Sequence, residues 1–561
     1  MTTYAALCCL SPRLAMIVRK DSQSFQQARS INSLRMTTNS HLFCYTSGRW
    51  LYNEQQQLEK RYVEFNVPSL QRTVGQIVGS QCMQMTKMPE GLYNKVFSLK
   101  MENGREVLER IPNSNAGHPI MLWLLCNVLD IPVPRVLSWS NPSQHNPVGA
   151  EYILMERVKG RQLSEVWDNM SEAERFGLLK SLVGIEQKLA SSRFAFHGSL
   201  YYKDAYPHGT TFADPIEVER GNTLGFVIGP TTQRSFWEDE KQELDIDRGP
   251  CMYILITLFL HHKLMTSLFR ENCAGVFSAI ATREIALIRN PPNRSSDMSV
   301  PSATTWPKRN MHVRLLEQFL IVLPHILPRD ETLCPALLHH DLHSDNIFVD
   351  PSDRTKISSI IDWQAVYTAP LCIQAKFPSI FDCDDPYPWG AVQPKLPEGF
   401  ETLSQPEKQL AEDKLGRLGL KKFYELASRK FNPTLVRAMD AMRNDDDPTS
   451  FIFLIVGRSS LDGPIPPQEL LIQIYEKWDR IMERRGLAIP CPISFSNDEI
   501  SRTRQQVGAW AEVYGDFESL RTKLVGDDGW VSHEEYEEAR RRWEANRVTL
   551  TMLRERLERL L

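Results

Sequence analysis

The chain has 561 residues, 42% hydrophobic and 24% charged, enough to bury one large two-lobed core or several smaller ones. A net charge of −4 and a pI near 6.4 exclude the basic face of a dedicated nucleic-acid binder. Eleven cysteines without a C-x-x-C pair exclude a zinc ribbon and point to reduced thiols rather than a disulfide framework.

The first segment is basic. Before Arg49, the cations Arg13, Arg19, Lys20, Arg29 and Arg35 stand against one acid, Asp21, with Ser11, Ser22, Ser24, Ser30, Ser33 and Ser40 between them. That is the composition of a mitochondrial transit peptide, and Arg13 breaks the apolar stretch a secretory signal needs. Residues 1–44 are therefore expected to be a transit peptide or a disordered leader. The location expected is mitochondrial, with cytoplasmic as the alternative. From Tyr45, YTSGRWLYNEQQQLEKRYVEFNVPSL reads as a folded lead-in.

Next comes a strand-rich stretch. Glu90-Gly91-Leu92-Tyr93-Asn94 opens a strand over Lys95 to Lys100; Asn103-Gly104 gives the strongest short-range hairpin signal; Glu106 to Ile111 returns, carrying Arg110. Pro134 to Trp139 and Glu151 to Glu156 read as two more strands around a polar loop. Residues 164 to 340 are mostly helical by pattern, with a polar break at Asn290 to Asn310. The apolar run from Met252 to Phe269 is interrupted by His261 and His262 and is too short to span a bilayer, so it reads as a core helix and no transmembrane segment is expected.

The run LLHHDLHSDNIFVDPSDRTKISSIIDW, Leu337 to Trp363, carries the chemistry. Ile347 to Val349 and Ile357 to Ile361 are short β-rich runs separated by Asp350, Pro351, Ser352 and Asp353, so they form a hairpin. A hairpin brings its ends together. Asn346 and Asp362 then offer an amide oxygen and a carboxylate to one hard cation, with Asp341 just upstream. Phosphoryl transfer needs magnesium to neutralise charge and one residue to orient the attacking hydroxyl and take its proton. Asp341 is the candidate base, and Asn346 and Asp362 the candidate magnesium ligands.

After the hairpin, Asp382, Asp384 and Asp385 form an acidic loop able to hold a cationic or polyhydroxyl acceptor, though such loops are more often only solvated. Beyond Glu401 the text is charged and helix-periodic. Asp528 to Glu535 mimics half of an EF-hand loop, but Leu524 and Gly526 fall where ligands are needed, so Asp527, Asp528 and Ser532 read as a turn and cap.

The pattern His339, Asp341, Asn346 resembles the catalytic loop of the protein-kinase-like superfamily, and Ile361-Asp362-Trp363 resembles its metal-binding triplet. In detail it is similar to the aminoglycoside phosphotransferase branch, whose usual text is H-G-D-L-H-x-x-N. His340 stands where that branch has Gly, and His343 matches its second His; both are expected to be structural hydrogen-bonders. The lead-in, Tyr152 to Leu163, His197 to Tyr201 and Ile246 to Pro250 resemble a group of fungal mitochondrial proteins within that family, so the likeness covers most of the chain after residue 45.

The resemblance implies an α+β, bilobal protein-kinase-like fold with a small antiparallel β N-lobe and a large mainly α-helical C-lobe. The division it suggests is a leader to 44, a lead-in helix and nucleotide-binding N-lobe over 45–158, a catalytic C-lobe over 159–400 and a helical extension over 401–561. It implies a phosphate-covering loop at Gly91 and Asn94, a phosphate-pairing Arg110, and adenine contacts at Met155 and Glu156 beside the hinge Arg157 to Gly160. Three departures accompany it. Gly91 is alone where a protein kinase has three glycines, Arg110 replaces Lys, and the stretch 113–128 has no acid, with His118 about where a partner Glu belongs. The expected function is ATP- and magnesium-dependent phosphotransfer to a small-molecule hydroxyl, the acceptor and oligomeric state being open. The alternative is a catalytically weak, pseudokinase-like nucleotide-binding or scaffold protein. No A-P-E closure follows the triplet, which argues against a protein substrate.

Overall fold

Asn103 and Gly104 turn the chain back on itself as their pairing anticipates. Gly104 takes φ of 80°, a left-handed backbone open to glycine, and the Arg105 N–H donates to Asn103 Oδ1 at 3.0 Å. The computed structural model describes residues 40–113, 129–140, 146–194, 196–202, 226–237, 241, 244–252, 275–290, 309–327, 331–364, 366–381, 387–441, 447–525 and 529–560. Five antiparallel strands, β1 (Cys82–Lys87), β2 (Asn94–Met101), β3 (Glu106–Pro112), β4 (Val136–Ser140) and β5 (Tyr152–Glu156), form one sheet in the order β1-β2-β3-β5-β4. The strand β1 was not anticipated. Its text, CMQMTK, has one β-branched residue, and pairing with β2 rather than intrinsic preference makes it a strand.

Alternation gives this sheet two faces. Phe97, Leu99, Val107, Ile111 and Leu154 pack against Phe65 of the lead-in and Leu70 and Val74 of α1 (Val67–Val78). Asn66 caps α1 by accepting from the Ser69 N–H at 2.9 Å. Val96 and Arg110, opposite each other in the register, take the other face, which looks toward the second lobe.

That lobe is mainly helical, with α2 (Glu172–Ser191), α3 (Gly275–Arg289), α4 (Arg309–Ile326), α5 (Gln405–Phe431), α6 (Ile465–Glu476), α7 (Asn497–Val525) and α8 (Tyr536–Leu560). A small sheet of β6 (Arg161–Gln162), β7 (Ile347–Val349) and β8 (Ile357–Ile360) lies at its junction with the first lobe. The helix α2 starts at a reciprocal Ser171–Glu174 cap, and its Leu178, Leu179 and Leu182 share a core with Leu342, Ile347, Val349 and Ile360. A second core joins Phe277 of α3, Leu316 of α4, Leu471 of α6, Trp510 of α7 and Leu550 of α8. Helices beyond residue 401 take part in both, since Tyr424 of α5 lies in the first. The architecture is the α+β, two-lobed one expected, a small antiparallel β lobe and a large mainly helical lobe.

The last helices also reach the first lobe. The turn between α7 and α8 pairs with the lead-in, Trp50 opposite Trp530, and Trp530 Nε1 donates to the Tyr45 hydroxyl at 2.9 Å. A Cβ on Gly48 would stand 2.6 Å from the Trp530 ring, so glycine is needed there. Thr46 then donates its N–H to Glu90 Oε1 at 2.6 Å, handing the contact on to the loop between β1 and β2. Ser532 caps the start of α8, as read from the sequence, its Oγ accepting from the Glu535 N–H at 3.2 Å, while Asp527 and Asp528 lie outside the described residues. So do residues 1–39 of the leader, the acid-free stretch from 114 to 128 with His118, most of the Met252 to Phe269 run, the loop from 291 to 308, and Asp382, Asp384 and Asp385. Among the described residues, no helix is long and apolar enough to cross a membrane.

Candidate active site

The turn Asp350 to Asp353 folds on the Asp350 carboxylate, which accepts from the Ser352 N–H at 2.8 Å and the Asp353 N–H at 3.1 Å. It sets β7 against β8 with Ile347 opposite Ile360. One step further, the Ile361 N–H donates to the Asn346 carbonyl at 2.9 Å, so Asn346 and the segment ending in Asp362 lie side by side. Asn346 Nδ2 donates to the Asp341 carbonyl at 2.9 Å. The three residues singled out by spacing are thus brought together. The bond also orients the Asn346 amide, leaving its Oδ1 as the free oxygen of a buried side chain.

His339 locks the loop to the triplet. Its Nδ1 accepts from the Asp341 N–H at 3.1 Å, and its Nε2 donates to the Ile361 carbonyl at 2.9 Å, with the ring edge-on to Trp363. Burial lowers its pKa, which suits the neutral tautomer these two bonds require. His343 behaves differently. Burial opposes its charge, but Asp341 Oδ2 at 3.5 Å and Asp345 Oδ2 at 3.4 Å raise its pKa to about 9. For Asp341, burial pushes upward, yet the His343 imidazolium, helped by Lys376, holds the carboxyl below its ordinary value. Asp341 is therefore ionised and able to accept a proton.

His340 is a correction to its expected hydrogen-bonding role. Its ring stacks on Tyr367 at 4.7 Å, its Nε2 has no hydrogen-bond partner, and burial lowers its pKa to about 3. A neutral ring fills a packed site where the resembled branch keeps glycine.

Asp362 has φ of 63°, a left-handed conformation that Asp tolerates better than most residues and that turns it out of β8. Arg110 Nη2 donates to its Oδ1 at 2.6 Å. Burial would raise this carboxyl, but the Arg110 charge and hydrogen bond, with Arg234, hold it below its usual range. Its second oxygen, together with Asn346 Oδ1, supplies the hard-oxygen donors magnesium prefers. Lys95, the lysine nearest Arg110 in the hairpin, points the other way. It is fully buried, contacts the Arg61 carbonyl and Asn113 Oδ1, and has its pKa lowered to about 8 by burial.

The loop between β1 and β2 places Gly91 at an exposed position with open space where a Cβ would stand. Asn94 is tied down: its Nδ2 donates to Gln364 Oε1 at 2.6 Å and its Oδ1 accepts from Gln364 Nε2 at 2.8 Å. Met155 is buried in β5 opposite Leu108 and Val136. The Glu156 N–H donates to the Arg135 carbonyl, and its carboxylate pairs with Arg105 at 3.3 Å. Behind it, Gln162 Nε2 donates to the Asp345 carbonyl at 2.7 Å, bracing the candidate catalytic loop from the hinge side.

Sequence reasoning missed Gln364, Arg234 and Lys376. Gln364 sits two residues after Asp362 and carried no motif signal of its own; Arg234 lies in a segment with no recognisable pattern and meets the site only through the fold, its guanidinium 3.5 Å over the Tyr93 ring. Lys376 is exposed on the segment after the triplet.

The sequence model of the phosphotransferase enzyme family matches residues 302–372, which include Asp341, Asn346 and Asp362. Over those residues the chain is similar to the phosphotransferase enzyme family. Among individual relatives, a subtelomeric hrmA-associated cluster protein of Aspergillus fumigatus is 34% identical over 353 residues, 58% of this chain and 66% of that protein. The chain thus spans slightly less than two thirds of that relative. Altered inheritance of mitochondria protein 9, mitochondrial, of Yarrowia lipolytica is 21% identical over 91% of this chain and 87% of its own length. Its counterparts in Lachancea thermotolerans and Saccharomyces cerevisiae are 20% and 21% identical, each over 88% of this chain. These proteins are named mitochondrial, the location the leader's composition leads one to expect. Of solved structures, a putative aminoglycoside phosphotransferase from Ralstonia eutropha covers 80% of this chain and 98% of its own at 14% identity and a TM-score of 0.33.

Proposed function

We propose that this protein is an ATP- and magnesium-dependent phosphotransferase acting on a small-molecule hydroxyl in mitochondria. The observation that carries the reading is the convergence of Asp341, Asn346 and Asp362 on one crevice, with Arg110 of the strand-rich lobe closing onto Asp362. Asn346 Oδ1 and the free oxygen of Asp362 would hold magnesium, which supplies charge neutralisation at the phosphates. Asp341, ionised under His343, orients the acceptor hydroxyl and takes its proton. Arg110 neutralises phosphate charge from the sheet side, and the loop carrying Gly91 covers it. The face between β3 and β5, with Val96, Leu108 and Met155 near the hinge, suits a flat apolar base.

A second reading, a nucleotide-binding scaffold with little turnover, is favoured by one observation. The covering loop has a single glycine, so it offers few unhindered backbone N–H groups to phosphate. Thermal shift with ATP, with and without magnesium, followed by a slow ATP-hydrolysis assay separates the two. Magnesium-dependent stabilisation with hydrolysis supports the enzyme; stabilisation without hydrolysis, and no phosphorylated product in a metabolite screen read by mass, supports the scaffold.

A further inference from the structure

Arg234 opens the short helical turn Arg234–Phe236, in the segment that follows the strand Phe226–Gly229. Its backbone is firmly held. Phe236 is buried in the helical core, Ser235 Oγ accepts from Arg283 Nη1 at 2.8 Å, and Arg248 donates to the carbonyls of Phe236, Lys241, Leu244 and Ile246. From this anchored turn the guanidinium crosses to the other lobe and lies 3.5 Å over the ring of Tyr93, in the loop that covers the crevice. Its Nε is buried and has no hydrogen-bond partner among the described residues.

A buried donor left unpaired is costly, and a guanidinium is the side chain best shaped to offer two N–H groups to a phosphate or carboxylate. Asp362 Oδ1 receives Arg110 Nη2 at 2.6 Å. The crevice is thus flanked by two guanidiniums, Arg110 from the sheet and Arg234 from the helical lobe. Tyr93 adjoins Asn94, which pairs with Gln364 two residues after Asp362, so the guanidinium over the Tyr93 ring sits beside the site. Tyr93 supports the planar group by its ring face, leaving the in-plane donors free.

We propose that Arg234 binds the terminal phosphate of the nucleotide, donating to the oxygens on which charge is spread during transfer, with Tyr93 as the platform that aims it. This rests on the nucleotide site proposed above and adds to it a residue from outside every motif of the sequence. An arginine so placed distinguishes a nucleoside triphosphate from a diphosphate, because only the former extends a phosphate between the covering loop and Asp341.

Calorimetric titration of wild type, Arg234→Gln and Arg234→Lys with ATP and with ADP, both with magnesium, tests this. Arg234→Gln is expected to weaken ATP binding about tenfold or more and ADP binding less than about threefold, with Arg234→Lys intermediate because it keeps the charge but not the fork. Should the Gln variant fail to fold by circular dichroism, the Lys variant decides by the same ATP-to-ADP difference. Equal weakening for both nucleotides, or none, overturns the assignment. So does loss of turnover with unchanged ATP affinity, which would put Arg234 on the acceptor. Wild type binding neither nucleotide sinks the nucleotide site itself, a result distinct from wild type binding both and the variants behaving like it.

Discussion

Arg110 Nη2 meets Asp362 Oδ1 at 2.6 Å across 252 residues of chain, joining the strand-rich lobe to the candidate metal-binding triplet. Replacing Arg110 with Met removes both the charge and the fork. ATP affinity and turnover are expected to fall at least about tenfold, with Arg110→Lys recovering part of the loss since lysine is a point charge without the bidentate fork. Titration calorimetry and steady-state rates check it. Equal behaviour of the Met variant and wild type would mean the pair is only structural.

A second tie between the lobes is the reciprocal amide pair of Asn94 and Gln364. Either Asn94→Ala or Gln364→Ala strands a polar partner and is expected to cost about 1–3 kcal/mol, while the double variant costs less than the sum. Urea denaturation of the four proteins measures the coupling. Strict additivity would contradict a direct interaction.

His343 sets the pH range of the candidate base. Its charge holds the Asp341 carboxyl low, so Asp341 stays ionised further into acid than an ordinary aspartate. His343→Gln removes that charge, the Asp341 pKa rises, and the acidic limb of the rate profile moves to higher pH. A profile with an unmoved acidic limb would deny the coupling.

Glu186 gives a stability signature away from the site. Burial against α5 raises its pKa from 4.5 to about 8, although the Tyr424 hydroxyl, donating to its Oε2 at 2.6 Å, pulls the other way. The folded state then binds an extra proton between those values, so its contribution is complete below 4.5 and is lost as pH rises through about 8. Glu186→Gln keeps the hydrogen bond without the charge. It should be more stable than wild type by at least about 1 kcal/mol near pH 8.5 and close to it near pH 4.5, as read by denaturant unfolding.

The hairpin between Asn346 and Asp362 was legible because everything that makes it is local: two short β runs, a proline-bearing Asp turn, and the candidate residues at its two ends. The hairpin at Asn103-Gly104 was readable for the same reason. Tertiary partners were not. The strand β1 exists through β2 rather than through its own residues, and Gln364 finds Asn94 across 270 residues. Arg234 reaches Tyr93 from a segment without pattern, and the neutral, stacked state of His340 follows from packing by Tyr367. The handover from Trp530 through Tyr45 and Thr46 to Glu90 joins the two ends of the chain, a contact that no window of sequence contains.

The most direct measurement is transfer of phosphate from labelled ATP, with magnesium, to a pool of hydroxyl-bearing metabolites by wild type and by Asp341→Asn. The proposed site requires labelled small-molecule product from wild type, and at least about a hundredfold less from a variant that folds and binds ATP normally. Undiminished transfer by Asp341→Asn would remove Asp341 as the base and, with it, the central claim.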